Sequence, residues 1–356
     1  MMTRGRVLAL AALLAACPPA RLAAQSVHGT FPLRLVFTGD INLGTRTLED
    51  GIPPDSGRRL FAGVDSLLKG DLVVGNFEGV LSDSGESAKC APKSTICYAF
   101  ATPTWLAARL KDAGFTHLNQ ANNHANDYGV DARIETASVL RNLGLTPYGP
   151  VDMVAITPVV RNGEYMLVGV VGFATYPHAY NLLDLAGSAE IIREVRPLVD
   201  VLVVTFHGGK EGKTAVRTPS VPEFLAKEPR GNLRKWARVV IDAGADAVVG
   251  HGPHVLRGVE FYHGRPVFYS LGNFVTYRGF NLEGPLGLTT ALQLDLDAQG
   301  GFLSARVPSL VQRPDSLGGT QPDTAFAALK LLRRITRLDF PQTGARFGDD
   351  GRVTSP

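Results

Sequence analysis

Apolar runs of strand length recur along this chain, and several of them stop on a cluster of polar side chains. Residues 33–40 (LRLVFTGD), 71–78 (DLVVGNFE), 116–124 (THLNQANNH), 201–207 (VLVVTFH) and 246–251 (DAVVGH) read as buried strands. Runs that do not alternate imply cover on both faces, as in a sheet between layers. Helical segments lie between them. Residues 102–114 begin on Thr102 and Pro103 and end on Gly114; residues 131–144 and 232–244 repeat that start-and-stop logic. Hairpin signals are mixed in, with turns at Arg161-Asn162-Gly163 and His263-Gly264, and a further pair of strands across residues 288–307. The pattern predicts an α/β fold with antiparallel additions and no clean break before Pro308. One amphipathic helix is expected near residues 323–338, and the polar tail 348–356 is expected to be disordered.

Composition changes this picture little. The 356 residues are 45% hydrophobic, enough for a large core. Net charge is +3, from 36 Lys+Arg against 33 Asp+Glu. Arg4, Arg6 and Arg21 supply that excess, and no Lys/Arg-rich run is present, so a nucleic-acid partner is not expected. The N-terminus carries more information. Arg4 and Arg6 precede an apolar stretch, residues 7–17, that is too short to span a bilayer. This is the order of an export signal, and residues 1–24 are expected to be removed. Two cleavage readings stay open: a lipobox ending on a lipidated Cys17, which would be the chain's one membrane tether, or cleavage near Gln25 with soluble release. The expected location is periplasmic, extracellular or on the cell envelope. Export makes a disulfide between Cys90 and Cys97 plausible, closing a short loop.

The strand ends supply the candidate chemistry. They bring Asp40 and Asn42, Asn76 and Glu78, Asn122, Asn123, His124 and Asp127, His207 and Glu211, and finally His251 and His254. In open α/β sheets ligands sit beyond the carboxyl ends of strands. A lone histidine at a strand end is usually a hydrogen-bonded core residue, and Gly-Asp after a strand is usually a turn. Their recurrence in this order points instead to one shared polar site. Oxygen and imidazole donors without thiolates suit Mn, Fe or Zn, as one or two divalent ions.

The strings NFEG, NNHANDYG, HGGKE, GHGPHVLRGVE and YSLGNF resemble the capsule synthesis CapA, or PGA_cap, family over residues 33–274. That family is similar in fold to calcineurin-like metallophosphatases, which implies a four-layer αββα sandwich with mixed sheets over residues 33–310, followed by a C-terminal helix and flexible tail at 311–356. The resemblance also implies a ligand set: Asp40, Asn42, Glu78, Asn123, His207, His251 and His254. His124 would be the acid that protonates a leaving group, with Asp127 beside it. Asn76, Glu211 and Asn273 are expected to contact substrate. Three departures stand out: Asn42 where the phosphatases have His, Glu78 where they have a bridging Asp, and two residues instead of one between His251 and His254. The implied function is a role with an exported anionic polymer, poly-γ-glutamate or a capsule, or with the envelope machinery that makes it. Two forms of that role remain open, a metal-dependent hydrolase of phosphoester or amide bonds and a non-catalytic binding or assembly factor.

Overall fold

The computed structural model describes residues 27–87, 89–90, 98–313 and 319–356. The expected signal segment, Cys17 and Cys97 therefore lie outside the described residues. Cys90 is disulfide-bonded. Among the described residues no helix is long and apolar enough to cross a membrane.

Two mixed sheets pack face to face. The first is built from β1 (Leu33–Asn42), β2 (Leu72–Phe77), β3 (His117–Asn119) and β4 (Thr146–Tyr148), all parallel. The second holds a hairpin of β5 (Ala155–Arg161) and β6 (Glu164–Ala174), then β7 (Val201–His207) and β8 (Ala247–His251) parallel to β6. A further hairpin, β9 (Val259–Tyr262) and β10 (Arg265–Phe268), joins β8 through β10. Back in the first sheet, β11 (Asn273–Thr276) pairs with the end of β1. Then β12 (Ala291–Leu296) pairs with the start of β1, and β13 (Phe302–Arg306) with β12.

Each buried strand serves two layers, which is why its sequence does not alternate. Leu33, Leu35 and Phe37 of β1 face the space between the sheets, while Val36 and Ile41 face outward. There they meet α1 (Ala108–Ala113) and α2 (Gly129–Asn142) through Leu110 and Leu140. Val201 and Val203 of β7 join the inner core, and Leu202, Val204 and Phe206 pack outward. Their cover is α3 (Leu185–Val195) and α4 (Leu233–Asp242), through Ile192, Trp236 and Val240. The order is helix, sheet, sheet, helix. The expected α/β class and αββα layering are both present.

Differences from the sequence pattern have local causes. The strand expected over residues 116–124 ends at Asn119, where the chain turns and folds its asparagine side chains back on itself. α3 was not foreseen; Asp184 caps it by accepting from Gly187 N–H at 3.0 Å. The Asn162-Gly163 turn is as expected, with positive φ at both residues. The expectation of a disordered tail at 348–356 needs correction. β14 (Arg352–Thr354) pairs with the edge of β13 and buries Val353 in the inter-sheet core. One apolar residue among polar ones leaves no periodic signal, yet it suffices to seat a strand, which residues Arg346–Phe347 flank on its other side. The helix before it, α5 (Ala327–Asp339), closes one side of the same core with Leu329, Leu332 and Ile335.

Candidate metal centre

The carboxyl ends of β1, β2, β7 and β8 converge. β1 reaches the site by passing close to another strand: a Cβ on Gly39 would stand 1.9 Å from the Gly272 carbonyl, so only glycine fits. That carbonyl accepts from Asp40 N–H at 2.9 Å, and the β1–β2 register shifts between Phe37 and Asp40. Beyond β8, the His251-Gly-Pro-His254 spacing reverses the chain. Gly252 takes φ 113° and His254 φ 59°, a left-handed conformation unfavourable outside glycine. The reversal brings His254 back over the strand ends.

Asp40, Glu78 and His207 are all buried, and one ligand atom from each falls within 4.8 Å of the others. Glu78 Oε1 lies 3.9 Å from His207 Nε2 and 3.6 Å from His254 Nε2. These separations are too long for hydrogen bonds. Both Glu78 oxygens, His207 Nε2, His251 Nδ1 and Asn123 Oδ1 are buried with no hydrogen-bond partner. Buried polar atoms are ordinarily paired. The unpaired acceptors of Glu78 and His207, with Asp40 beside them, fit a metal ion.

The surrounding bonds fix which atoms are free. His254 Nδ1 faces two acceptors, Asp40 Oδ2 at 2.9 Å and Asn273 Oδ1 at 3.0 Å, so the proton sits there and Nε2 turns to Glu78. His251 Nε2 meets the Thr38 carbonyl at 2.9 Å, which leaves Nδ1 as the lone pair. A carboxylate or carbonyl behind the imidazole is the usual support of a metal-ligating histidine.

Burial pushes the Glu78 carboxyl well above the usual range, with His254 opposing the shift. It pushes the His207 imidazole well below its ordinary value, and the charge of Arg230 adds to this. Burial would raise Asp40 too, but its bond and charge contact with His254 win and hold it low. His254 moves the other way. Burial disfavours its charged form, yet Glu78, Asp40 and Glu211 outweigh that and raise it to about 10. Without a metal the site thus holds protons that a cation would displace, so metal affinity should rise with pH.

His124 stands at the rim. Its Nδ1 lies 2.6 Å from Asp127 Oδ2, and its Nε2 lies 3.9 Å from Glu78 Oε1. Burial lowers its pKa while Asp127 raises it. Asp127 is itself held by Phe100 N–H at 2.8 Å and by Lys89.

Not every expected site residue reaches the centre with a free group. Asn42, expected as a ligand, donates to the Glu78 carbonyl at 2.9 Å and accepts from Gly44 N–H at 3.1 Å. Its amide braces the backbone of Glu78. Asn76, expected to contact substrate, is fully buried. It donates to Asp40 Oδ1 at 2.8 Å and accepts from Asn119 and Asn122 at 3.0 and 3.2 Å. Asn273 is buried as well; besides meeting His254 Nδ1, its amide donates to the Leu286 carbonyl at 3.1 Å. Both position other residues of the cluster, Asp40 and His254, and present no surface to a substrate. Glu211 does reach the rim, with one oxygen on Arg230 at 2.8 Å and the other 3.9 Å from His254 Nε2. Sequence reasoning missed the roles of Asn119, Lys89, Tyr176 and Arg230. Among them Arg230 is a fully buried cation, and its guanidinium also bonds Gly209, Glu228 and Tyr176.

The bacterial capsule synthesis protein PGA_cap family model matches residues 34–278, a stretch that holds every one of these groups. The chain belongs to that family. It is 31% identical over 266 residues to the PGA biosynthesis protein CapA of Bacillus subtilis, covering 68% of this chain and 63% of that protein. It is 30% identical over 324 residues to the capsule biosynthesis protein CapA of Bacillus anthracis, covering 86% of this chain and 73% of that one. This PGA_cap chain thus spans a little under two thirds of the length of the first of these relatives. Among solved structures, a hypothetical protein from Thermus thermophilus is similar at TM-score 0.40 and 15% identity, over 82% of this chain and 96% of that one.

Proposed function

We propose that this protein is an exported, metal-dependent hydrolase acting on an anionic polymer of the poly-γ-glutamate or capsule type at the cell envelope. The observation that carries the reading is the buried carboxylate of Glu78, with neither oxygen bonded, faced by the Nε2 atoms of His207 and His254. The family relatives named for capsule and PGA biosynthesis support the polymer. The charged and apolar order of residues 4–17 supports export.

Asp40, Glu78, Asn123, His207, His251 and His254 would hold the ion or ions. A bound divalent cation supplies Lewis-acid polarisation of the scissile bond and lowers the pKa of water. The protein's own contribution is orientation and proton control. Asn76 and Asn273 fix Asp40 and His254, so the ligand atoms are set before a cation arrives. Asp127 holds His124 by Nδ1 and aims Nε2 at the centre, where it would donate a proton to the leaving group; burial lowers the imidazole's pKa and the charge of Asp127 opposes only part of that.

One observation favours the other reading, a binding or assembly factor: Asn42 spends its side chain on backbone groups. Purified full-length protein, loaded with Mn²⁺, Fe²⁺ or Zn²⁺, separates the two when offered poly-γ-glutamate and a phosphodiester panel. The hydrolase reading expects stoichiometric metal and metal-dependent cleavage of one class. No stoichiometric metal, or bound metal without turnover on either class, leaves the binding factor.

A further inference from the structure

The loop after β7 is stitched to the turn that carries His254. Gly208 N–H donates to the His251 carbonyl at 3.0 Å, and Gly212 N–H donates to the Pro253 carbonyl at 3.2 Å. Gly209 takes φ 83° and Gly212 φ 105°, so the backbone bends at both ends of the Lys210-Glu211 pair. Arg257 Nη2 also holds the Lys210 carbonyl at 3.1 Å. Glu211 is therefore locked at a set distance from His254 by main-chain bonds, independent of any attraction between the two side chains.

Its carboxylate is oriented as a ligand would be. Arg230 takes one oxygen at 2.8 Å, and the other lies 3.9 Å from His254 Nε2. On its other side the same Nε2 lies 3.6 Å from Glu78 Oε1, whose oxygens bond nothing. Two ligand atoms each about 2.1 Å from one ion stand ~3.4 Å apart at a tetrahedral angle and ~4.2 Å apart in line. Both separations here fall between those limits and are too long for hydrogen bonds. Asn42, at the position where the resemblance implies a ligand, is committed to the Glu78 carbonyl and Gly44 N–H.

We propose that Glu211 is a metal ligand, sharing one divalent cation with His254 and Glu78. The assignment rests on the metal-dependent reading above. Arg230 is then the positioning residue, because it holds the far oxygen and leaves Oε2 to the ion. The consequence is a second carboxylate beside Glu78 in the ligand set. The site becomes harder and more anionic, which favours Mn²⁺ over Zn²⁺.

Isothermal titration of the metal-stripped full chain with MnCl₂ alone tests this. Glu211→Gln keeps an oxygen for Arg230 and removes the anionic ligand; Glu228→Gln removes the other carboxylate on Arg230, at a Glu228 side chain that is itself 42% exposed. The expected result is Mn²⁺ affinity at least ~10-fold weaker in Glu211→Gln than in the wild type, with Glu228→Gln within ~3-fold of it. Should Glu211→Gln fail to fold, as judged by circular dichroism, Glu211→Asp substitutes: a shortened carboxylate should also bind at least ~10-fold more weakly. Equal weakening in the Glu211 and Glu228 variants would assign the effect to Arg230 and overturn the ligand role. Wild-type affinity in the Glu211 variant would also overturn it while leaving the metal centre standing. A wild type that binds no Mn²⁺, Fe²⁺ or Zn²⁺ would overturn both readings together.

Discussion

Two buried polar clusters share the loop that follows β7, and they obey opposite rules. Lys210 belongs to one through its carbonyl, and Glu211 to the other through its side chain. In the first, Arg257 is fully buried and donates to both oxygens of Glu223, at 2.8 and 2.7 Å, and to the carbonyls of Ala215 and Lys210. Charge and hydrogen bonds are both answered inside the protein. In the second, Glu78 and His207 are equally buried and leave three side-chain atoms unanswered. A protein interior tolerates the first arrangement as structure. The second is costly for a chain that binds nothing, because each orphaned group forfeits its water without replacement. Burial and charge alone do not separate a structural cluster from a functional one. Between these two clusters the unpaired atoms make the difference.

The largest expected effect tests that rule at Glu78. Glu78→Ala should abolish stoichiometric metal binding, read by plasma-emission analysis of protein loaded with Mn²⁺. Urea denaturation in chelator should show the variant at least as stable as the wild type, since a buried carboxylate that accepts no hydrogen bond has been removed and its charge contact with His254 offsets only part of its burial. Retained metal, or a large loss of stability in chelator, would make Glu78 structural and erase the contrast.

His124 sharpens the comparison from the functional side. It contacts the centre only at 3.9 Å and bonds Asp127 instead. His124→Ala should keep its metal and lose ~10²–10⁴-fold in turnover on whichever substrate the wild type cleaves. Joint loss of metal and turnover would move it into the ligand set.

Arg257→Ala tests the answered cluster. It would leave Glu223 buried without its two strongest partners, so a loss of ~3–5 kcal/mol is expected by urea denaturation. The same loss should appear in chelator and in Mn²⁺. A loss confined to one condition would tie this cluster to the metal centre and break the distinction drawn above.

How far the sequence reveals this contrast can be seen residue by residue. Strand ends are legible because an apolar run that stops on Asp, Glu, Asn or His announces both an edge and a donor. The layered fold is legible for the same reason, through β1 and β7, whose unbroken apolar runs require cover on both faces. What an asparagine does is not legible. Asn42, Asn76, Asn123 and Asn273 share one side chain, and only the partners met in three dimensions make Asn42 a backbone brace and leave the Asn123 oxygen free. Arg230 was hidden by distance, since 19 residues separate it from Glu211 and a lone arginine reads as surface. β14 was hidden by composition, since Val353 is its one buried apolar residue.

The smallest expected effect concerns a histidine that has what His207 lacks. His117 is buried, and both ring nitrogens are answered: Nδ1 meets Thr116 Oγ1 and Nε2 meets Thr157 Oγ1, each at 2.8 Å. Burial lowers its pKa from 6.5 to about 4. The sign follows from where the proton goes. The unfolded chain takes up a proton near pH 6.5, whereas the folded chain resists until about 4. The stability this residue contributes is therefore full above the unfolded value and is lost as pH falls toward the folded one. A fall from 6.5 to about 4 corresponds to ~3.5 kcal/mol at most, by the usual ~1.4 kcal/mol per tenfold change in proton affinity. His178, also lowered to about 4, titrates in the same window and adds to the slope. Urea denaturation in chelator between pH 7 and 4 should show stability falling, and His117→Gln should flatten part of that fall. Chelator keeps metal-linked protons from the centre out of the comparison between wild type and variant. If the slope is the same with and without His117, its hydroxyl partners accommodate the charged ring, and an answered histidine in this interior costs no more to protonate than one in water.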